Sequence, residues 1–392
     1  MNVRDGCLRH PGRGKLPGLR GRVNLRLVLL SLALTSASCA FRPARAVREI
    51  PPGEWHATMG GPARAAFVDE TVPGAPQEAW RERYDGGVSS APLVHGDLLI
   101  MANARSLTVA SALDGGRYWS RRFDGAVVGS PLRSDTMLFV ATASRRGRVH
   151  ALSIERGRAR WQARLNSPVT SEPILFETTI FVATVRRELH ALDSGTGTVR
   201  WRIRLPGQAI TAPLVHERSL LLATQRDTLL RMRTQDGAIE AAAALPGSAS
   251  APLALSDTTL IVALHPDRIA GFDARTLAPR WSVRVHAPVL AAPVVDADGT
   301  AFVLTRAGDV WQIAPDGAAA RLAQLGGTAR ESLTLTRDAL LVGRLDGTLF
   351  VLARDGTERW HEQFRSSVRS PVAVRDGELF VALLNGTVVN LR

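Results

Sequence analysis

A unit of about 40 residues recurs along most of the chain, and it restricts the possible folds more than any other feature of the sequence. A proline after a short Ser/Thr/Ala-rich stretch marks each copy, and the spacing of successive markers stays close to this period throughout. The markers are Pro92, Pro131, Pro173, Pro213, Pro252, Pro293 and Pro371, with Leu333 in the seventh copy. The sequence therefore contains eight copies of the unit.

Tryptophan is a second marker that keeps the same period. Five tryptophans lie at one fixed distance before the proline of a copy, and a sixth lies one position closer to its proline. They are Trp80, Trp119, Trp161, Trp201 and Trp281, followed by Trp360. Glu240 and Arg321 are predicted to hold the same position without an aromatic ring.

Each unit contains four short runs typical of β-strands, with turn residues between them. In the fourth copy these runs are Ala212–Val215, Ser219–Thr224, Thr228–Thr234 and Ile239–Leu245. A unit of this length with four strands has the size of one propeller blade, and no helical period is sustained. The sequence predicts an all-β, eight-bladed β-propeller of four-stranded antiparallel blades.

The two ends of the repeat region predict how the ring closes. The eighth copy stops after its third strand, at Arg392, whereas a spare strand carrying Trp80 precedes the first copy at Glu78–Tyr84. This N-terminal strand is expected to complete the last blade and remove an open sheet edge. The propeller is therefore predicted to span residues 77–392.

The stretch that precedes the predicted propeller is expected to serve targeting. Arginines precede a short apolar run, Leu27–Ser38, and Cys39 follows small residues, so residues 1–38 resemble a bacterial lipoprotein signal peptide with Cys39 as the acylated residue. The alternative is an ordinary secretory signal with an incidental Cys. Residues 39–76 are predicted to form the lipidated N-terminus and a tether, in which Trp55–Arg64 either packs on the ring or is disordered.

The formal net charge of +13 first suggests a nucleic-acid partner. Residues 1–38 hold seven cationic residues and one acid, so the remainder of the chain carries about +7. Arg83, Arg164, Arg204 and Arg284 share one position, three residues after a Trp. These arginines lie on the predicted outer strands, where charge discourages edge-to-edge pairing, and we predict no nucleic-acid partner.

One copy matches a known repeat motif at all its fixed positions. Ala191, Asp193, Thr196, Gly197 and Trp201 fit the pattern Ala-x-Asp-x-x-Thr-Gly-x-x-x-Trp, and Asp273, Thr276 and Trp281 repeat part of it. The chain thus resembles the quinoprotein (PQQ-like) β-propeller repeat family. The resemblance implies that Trp80, Trp119, Trp161, Trp201, Trp281 and Trp360 lie between neighbouring blades, held by the Asp-Thr-Gly turns.

Within that family, the eight repeats and the predicted lipoprotein signal are similar to the BamB group of outer-membrane lipoproteins. This similarity implies a lipid-anchored scaffold on the periplasmic face of the bacterial outer membrane. It also implies two partners: an outer-membrane barrel-assembly protein of the BamA type, and unfolded barrel substrates. The corresponding docking loop here is Pro206–Pro213, so Gln208 and Ile210 are the candidate contacts. The Arg of the family's loop is missing from this stretch.

Two other functions stay open from the sequence. One is an envelope propeller that binds a small ligand or a polysaccharide, and the other is a quinoprotein dehydrogenase. The dehydrogenase would need a quinone, Ca²⁺ with carboxylate ligands and commonly a vicinal Cys pair, whereas Cys7 and Cys39 are the only cysteines. The histidines recur at repeat-equivalent positions, which favours structural roles. We therefore predict no enzymatic activity, no cofactor and no metal site.

Overall fold

The computed structural model describes residues 67–88 and 90–392, which form eight β-sheets. The first two strands are β1 (Phe67–Val68) and β2 (Glu78–Arg83). Blade 1 contains β3 (Leu93–His95), β4 (Leu98–Asn103), β5 (Ser106–Ser111) and β6 (Arg117–Arg122). Blade 2 contains β7 (Val127–Arg133), β8 (Met137–Thr142), β9 (Arg148–Ser153) and β10 (Ala159–Arg164). Blade 3 contains β11 (Ile174–Phe176), β12 (Thr179–Ala183), β13 (Glu188–Asp193) and β14 (Val199–Arg204).

The next blades repeat this order. Blade 4 contains β15 (Leu214–His216), β16 (Ser219–Thr224), β17 (Thr228–Arg233) and β18 (Ile239–Ala244). Blade 5 contains β19 (Ala254–Ser256), β20 (Thr259–Leu264), β21 (Arg268–Asp273) and β22 (Pro279–Arg284). Blade 6 contains β23 (Val294–Val295), β24 (Ala301–Leu304), β25 (Asp309–Ile313) and β26 (Ala319–Gln324). Blade 7 contains β27 (Ala329–Thr336), β28 (Ala339–Arg344), β29 (Thr348–Ala353) and β30 (Glu358–Gln363). Blade 8 contains β31 (Ala373–Arg375), β32 (Glu378–Ala382) and β33 (Thr387–Leu391).

Neighbouring strands within a blade are antiparallel, and the prediction of an eight-bladed propeller is confirmed. The strands of the fourth copy lie within two residues of the predicted bounds, because each hairpin is specified by its own turn residues. The second strands are buried over all or nearly all of their length, whereas outer strands such as β10 and β14 alternate between exposed and half-buried residues. The propeller core therefore lies in the middle of each blade.

Apolar side chains join each blade to the next. The buried hydrophobic residues form eight clusters, and each cluster draws on two adjacent blades. The cluster between blades 8 and 1, for example, combines Phe380 and Val388 with Leu99 and Met101. Since each blade buries its two faces against its neighbours, no blade has a complete core of its own.

The N-terminal strand β2 completes blade 8, as the sequence predicts. It pairs antiparallel with β33, with Trp80 opposite Asn390, and the sheet order is β2-β33-β32-β31. Gln77 and Arg392 exchange two backbone hydrogen bonds of 2.7 and 2.9 Å beside this pairing. The two ends of the repeat region therefore pair like the two strands of a hairpin, although no turn joins β33 to β2.

Strand β1 is a structural feature that the sequence did not predict. It adds a fifth strand to blade 7 and runs parallel to β27, with Phe67 opposite Leu335. The predicted tether extends to residue 76, yet Val72 donates its backbone N–H to the Asp338 carboxylate and Asp69 pairs with Arg337 at 2.8 Å. The end of that stretch thus lies against blade 7. The predicted signal peptide, Cys39 and Trp55–Arg64 lie outside the described residues.

Candidate docking surface

The six predicted tryptophans lie at blade junctions, and each indole Nε1–H donates to a backbone carbonyl beyond its own blade. The acceptors are Ala112 for Trp80 (3.1 Å), Ile154 for Trp119 (2.7 Å), Ser194 for Trp161 (3.0 Å), Thr234 for Trp201 (3.0 Å), Pro315 for Trp281 (3.1 Å) and Pro73 for Trp360 (3.0 Å). Five of these acceptors belong to the last hairpin of the next blade. The ring therefore holds each blade to its neighbour by a directed contact as well as by apolar packing.

Pro73 is the exception, because blade 8 has no covalent hairpin between its third and fourth strands. The segment just before β2 passes over this junction and presents its carbonyl to Trp360. Asp338, which accepts the Val72 N–H at 3.1 Å, fixes the same segment. Residues 69–73 thus replace the turn that holds the tryptophan at the other junctions.

The Asp-Thr-Gly turn contacts the tryptophan of the preceding blade. Gly197 lies against Trp161, and Gly157 lies against Trp119 in the same way. A Cβ on Gly157 would lie 2.6 Å from the Trp119 ring, and its φ of +62° is unfavourable for any residue with a side chain. Glycine is therefore required here both for the backbone and for the close approach of the indole.

Replacing Gly157 by Ala is expected to destabilise the ring by about 2–4 kcal/mol, because left-handed strain adds to a clash with the indole. Gly377 is a matched control, since it has a φ of +75° but nothing within 4 Å of the place where a Cβ would lie. Gly377→Ala should cost only the backbone term of about 1–2 kcal/mol. Urea unfolding of both variants measures the difference, and equal losses would contradict the proposed indole contact.

Asp193 organises one of these turns, and Asp273 organises the corresponding turn of blade 5, which has Leu277 in place of the glycine. Asp193 accepts hydrogen bonds from the Thr196 N–H at 2.8 Å and hydroxyl at 2.9 Å, and Asp273 accepts the same pair from Thr276 at 2.8 and 3.0 Å. The hydrogen bond from Arg200, followed by those from Thr196, lowers the pKa of Asp193 to about 2. Hydrogen bonds from the Thr276 N–H and from Arg280 hold the pKa of Asp273 well below its usual range.

These shifts predict an acid-dependent loss of stability. Because both folded-state pKa values lie below the unfolded value near 3.9, the stabilisation is complete above about pH 4 and is lost as the pH falls towards 2. Thermal unfolding between pH 5 and pH 2 should show a falling midpoint. In the variant Asp193→Asn with Asp273→Asn the fall should be smaller. An equal fall in both proteins would assign the acid sensitivity to other groups.

Two junctions lack the tryptophan, and at one of them the predicted position is wrong. Strand pairing places Ala241, not Glu240, opposite Arg231, where Trp201 lies opposite Ala191 in blade 3. The loop from Ala249 to Pro252 is one residue shorter than the loop from Ala209 to Pro213, so counting back from the proline misplaces the position by one. Arg321 does hold the position in blade 6, opposite Trp311.

Arg231 takes over part of the missing contact between blades 4 and 5. Its guanidinium donates to the Arg275 carbonyl of the next blade at 2.6 Å and to the Ser219 hydroxyl at 3.0 Å. Glu240 accepts from the same Ser219 hydroxyl at 2.9 Å. At this junction the Arg231 side chain, from the third strand of blade 4, therefore contacts the last turn of blade 5. At five other junctions a tryptophan from the fourth strand makes that contact.

A central cavity of about 530 Å³ opens at one end of the ring, and residues of all eight blades line it. We call this end the rim, which consists of the loops between blades and the turns between the second and third strands of each blade. Backbone bridges such as Val169 to Thr184 and Ala209 to Thr224 hold each loop against the adjoining turn. Loops fixed on a rigid scaffold are the usual location of binding residues.

Gln208 and Ile210 both lie on the rim, in the loop between blades 3 and 4. Ile210 is half-buried and lines the mouth of the cavity, and its side chain packs at the edge of the cluster between blades 4 and 5. Gln208 is also half-buried, and its carbonyl accepts the Gln225 N–H at 2.8 Å. The loop thus presents one apolar and one polar side chain from a fixed backbone.

Two negative findings concern membrane and metal chemistry. Within residues 67–88 and 90–392, no helix is long and apolar enough to cross a membrane. The same part of the chain contains no group of three or more His, Cys, Asp or Glu side chains placed to share a metal ion.

Comparison with known protein families identifies the chain. The family model described as "Outer membrane protein assembly factor BamB" matches residues 68–167, 145–240 and 239–321, which together span more than half of the sequence. The chain belongs to the BamB family. A comparison with curated protein sequences finds no significant match.

Solved structures of the same fold include a BamB protein. BamB from Moraxella catarrhalis superposes with a TM-score of 0.67 at 18% identity, covering 81% of this chain and 98% of the other. Quinohemoprotein alcohol dehydrogenase from Comamonas testosteroni has a TM-score of 0.73 at 12% identity, with 89% and 81% covered. The computationally designed Ika8 protein has a TM-score of 0.71 at 15% identity, with 80% and 99% covered. At these identities the superpositions show a shared fold alone.

Proposed function

We propose that this chain is a non-catalytic lipoprotein scaffold on the periplasmic face of the bacterial outer membrane, where it assists the assembly of outer-membrane β-barrel proteins. The observation that carries the proposal is the match of the BamB family model to three consecutive stretches of the ring. The relation to BamB of Moraxella catarrhalis supports it, because that fold is covered almost from end to end.

The proposed anchor is an acylated Cys39, released when residues 1–38 are removed as a signal peptide. The stretch from Cys39 to Phe67 spans at most about 95 Å when fully extended. The anchor would therefore hold the ring close to the membrane and raise its effective concentration near membrane partners.

The proposed partners are an outer-membrane barrel-assembly protein of the BamA type and unfolded barrel substrates. We assign the first contact to the rim at Gln208 and Ile210. Ile210 offers an apolar side chain beside the central cavity of the rim, and the residues that contribute most to binding cluster near the centre of an interface. The Arg that the family's loop carries is absent from Pro206–Pro213.

Co-purification tests this function directly. The tagged full-length chain should recover the barrel-assembly protein from detergent-solubilised outer membranes, and loss of the chain should lower the amounts of outer-membrane barrel proteins. Ile210→Ala should weaken the complex about tenfold, as expected for an interface anchor. Leu290→Ala is a matched control that should leave the affinity of the complex close to that of the unmodified chain. Leu290 also lines the cavity, but it lies in the equivalent loop between blades 5 and 6, away from the docking loop.

The result that would overturn the proposal is the absence of the barrel-assembly protein from the recovered material together with normal barrel-protein amounts. The dehydrogenase alternative has a separate test, because similar propellers include quinohemoprotein alcohol dehydrogenases. Dye-linked alcohol oxidation by the purified chain, after addition of the quinone and Ca²⁺, would establish an enzyme in place of a scaffold.

A further inference from the structure

Charge is segregated between the two ends of the ring. Every turn between the first and second strands of a blade contains an acid, at the end opposite the rim. These acids are Asp97, Asp135, Glu177, Glu217, Asp257, Asp298, Asp338 and Asp376. The turns between second and third strands, on the rim, carry arginine in five of the eight blades. Acids therefore mark every such turn at the end opposite the rim, whereas arginine outnumbers acid in the rim turns, where the acids are Asp227, Asp267 and Asp346.

Five arginines concentrate the positive charge on three adjacent blades. They are Arg145 and Arg146 of blade 2, Arg186 and Arg187 of blade 3, and Arg226 of blade 4, and we call them the basic sector. All are exposed except Arg187, which is half-buried. Among the residues that the structure describes, no carboxylate lies within 4.0 Å of these guanidinium groups, although other arginines of the same blades, such as Arg148 and Arg231, are paired.

The backbone presents these arginines in a fixed array. Each turn is closed by a hydrogen bond of 2.8–3.1 Å, from Gly147 to Ser144, from Arg187 to Thr184 and from Asp227 to Thr224. The loop that leaves each blade is tied to its turn as well, because the N–H of Leu165 donates to Gly147 at 3.1 Å and that of Leu205 to Arg187 at 2.7 Å. The guanidinium groups therefore project from three rigid, repeat-related supports.

Apolar side chains lie within and beside the basic sector. Val185 is 46% exposed and directly precedes Arg186, while Ile210 lies in the loop whose Pro206 carbonyl accepts a hydrogen bond from Arg187 at 3.4 Å. Arginine around exposed apolar residues is the composition enriched in protein interfaces, where arginine also supplies a large share of hot spots. The basic sector is continuous with the docking loop assigned above.

We propose that the basic sector docks an acidic surface patch on the barrel-assembly protein, and this inference rests on the proposed function. Guanidinium groups recognise carboxylates through paired hydrogen bonds, and an array of arginines without carboxylate partners accelerates encounter with an acidic surface. Ile210 and Val185 then supply the apolar contact that slows dissociation. An anionic lipid surface would satisfy the same charges, but it gives no role to the fixed spacing or to the adjoining docking loop.

Charge reversal at three blades tests the proposal. The full-length chain carrying Cys39→Ala, so that no acyl chain contributes, is passed over immobilised barrel-assembly protein in detergent at several NaCl concentrations. Adding Arg145→Glu, Arg186→Glu and Arg226→Glu should lower the association rate at least about tenfold at low salt. The salt dependence of that rate should also become flatter, because fewer attractive charge pairs are left to screen.

A matched variant reverses three arginines at the other end of the ring. Arg156, Arg158 and Arg218 are exposed, lie in turns opposite the rim and undergo the same change of net charge when replaced by Glu. This variant should associate at close to the unmodified rate. Circular dichroism and the melting temperature of both triple variants establish that the rings are intact.

The outcomes separate this inference from the proposed function. The triple variant with Arg145→Glu, Arg186→Glu and Arg226→Glu is called the rim variant. If it binds the barrel-assembly protein as the unmodified chain does, or if both triple variants lose binding equally, the basic sector is not the docking surface and the scaffold function stands. If no complex forms at any salt concentration, both proposals fail. Vesicles of phosphatidylethanolamine with and without phosphatidylglycerol form the last arm. If the rim variant loses binding to the vesicles but keeps its binding to the barrel-assembly protein, the arginines bind lipid and the proposal is overturned.

Discussion

Removal of β2, by deletion of residues 77–84, should unfold the ring or lower its melting temperature by more than about 10 °C, because whole-domain stability is only about 5–15 kcal/mol. The deletion leaves β33 paired with β32 alone and opens its other edge, although all five of its residues are buried in the intact blade. It also removes Trp80, which lies between blades 8 and 1 and donates to Ala112. Calorimetry of the deleted and intact chains measures the loss.

A rearranged chain distinguishes loss of closure from general damage. Because Gln77 and Arg392 are hydrogen-bonded to each other, residues 77–84 can follow Arg392 through a short Gly-containing turn, with the chain beginning at Asp85. This arrangement makes the last hairpin covalent, as in the other blades, but it omits residues 67–76. Its matched reference is therefore a chain of residues 85–392 alone, and the rearranged chain should melt more than about 10 °C above that reference. If the deletion melts like the intact chain, or if the rearranged chain melts no higher than residues 85–392 alone, β2 does not close the ring.

Replacement of Trp119 by Ala is expected to cost about 3–5 kcal/mol, the usual loss for a large buried aromatic side chain. Trp119 is only 8% exposed, packs in the cluster between blades 1 and 2, and donates to Ile154 at 2.7 Å. Trp119→Phe should keep most of the apolar contact and lose mainly the hydrogen bond, at about 1–2 kcal/mol. Urea unfolding followed by circular dichroism gives both values.

A loss of stability below about 1 kcal/mol for Trp119→Ala would contradict the proposal that the indole holds blades 1 and 2 together, since surface substitutions have effects of this size. The variant Arg122→Ala is a useful neighbour control, because Arg122 lies on the same strand but is exposed. A similar loss in both variants would indicate a sensitive strand and not a specific junction contact.

The sequence predicted those parts of the fold that depend on local signals. Turn residues and the regular period of the repeat specify each hairpin, and the incomplete eighth copy together with Glu78–Tyr84 predicts closure. Strand β1 was missed, because a two-residue strand such as Phe67–Val68 has no periodicity to detect. Ala241 was misplaced because a loop deletion of one residue changes a spacing without changing the strand pairing.

Contacts between blades could be predicted only in part. The repeat motif placed the tryptophans at junctions, but the partner of each indole depends on how successive blades pack, which no local pattern encodes. The use of Arg231 in place of an indole depends on a carbonyl at Arg275, which belongs to the next blade and is distant in the sequence. The segregation of charge was present in the sequence, yet it becomes visible only after each turn is assigned to an end of the ring.

Photo-cross-linking from two glutamines tests the central claim, that the rim is the face by which this ring docks the barrel-assembly protein. Gln208 lies on the rim between blades 3 and 4, whereas Gln235 is exposed in the last turn of blade 4, at the opposite end. With a photoreactive residue at either position in the full-length chain in cells, we expect a cross-link to the barrel-assembly protein from position 208 and none from position 235. A cross-link from position 235 alone would contradict it.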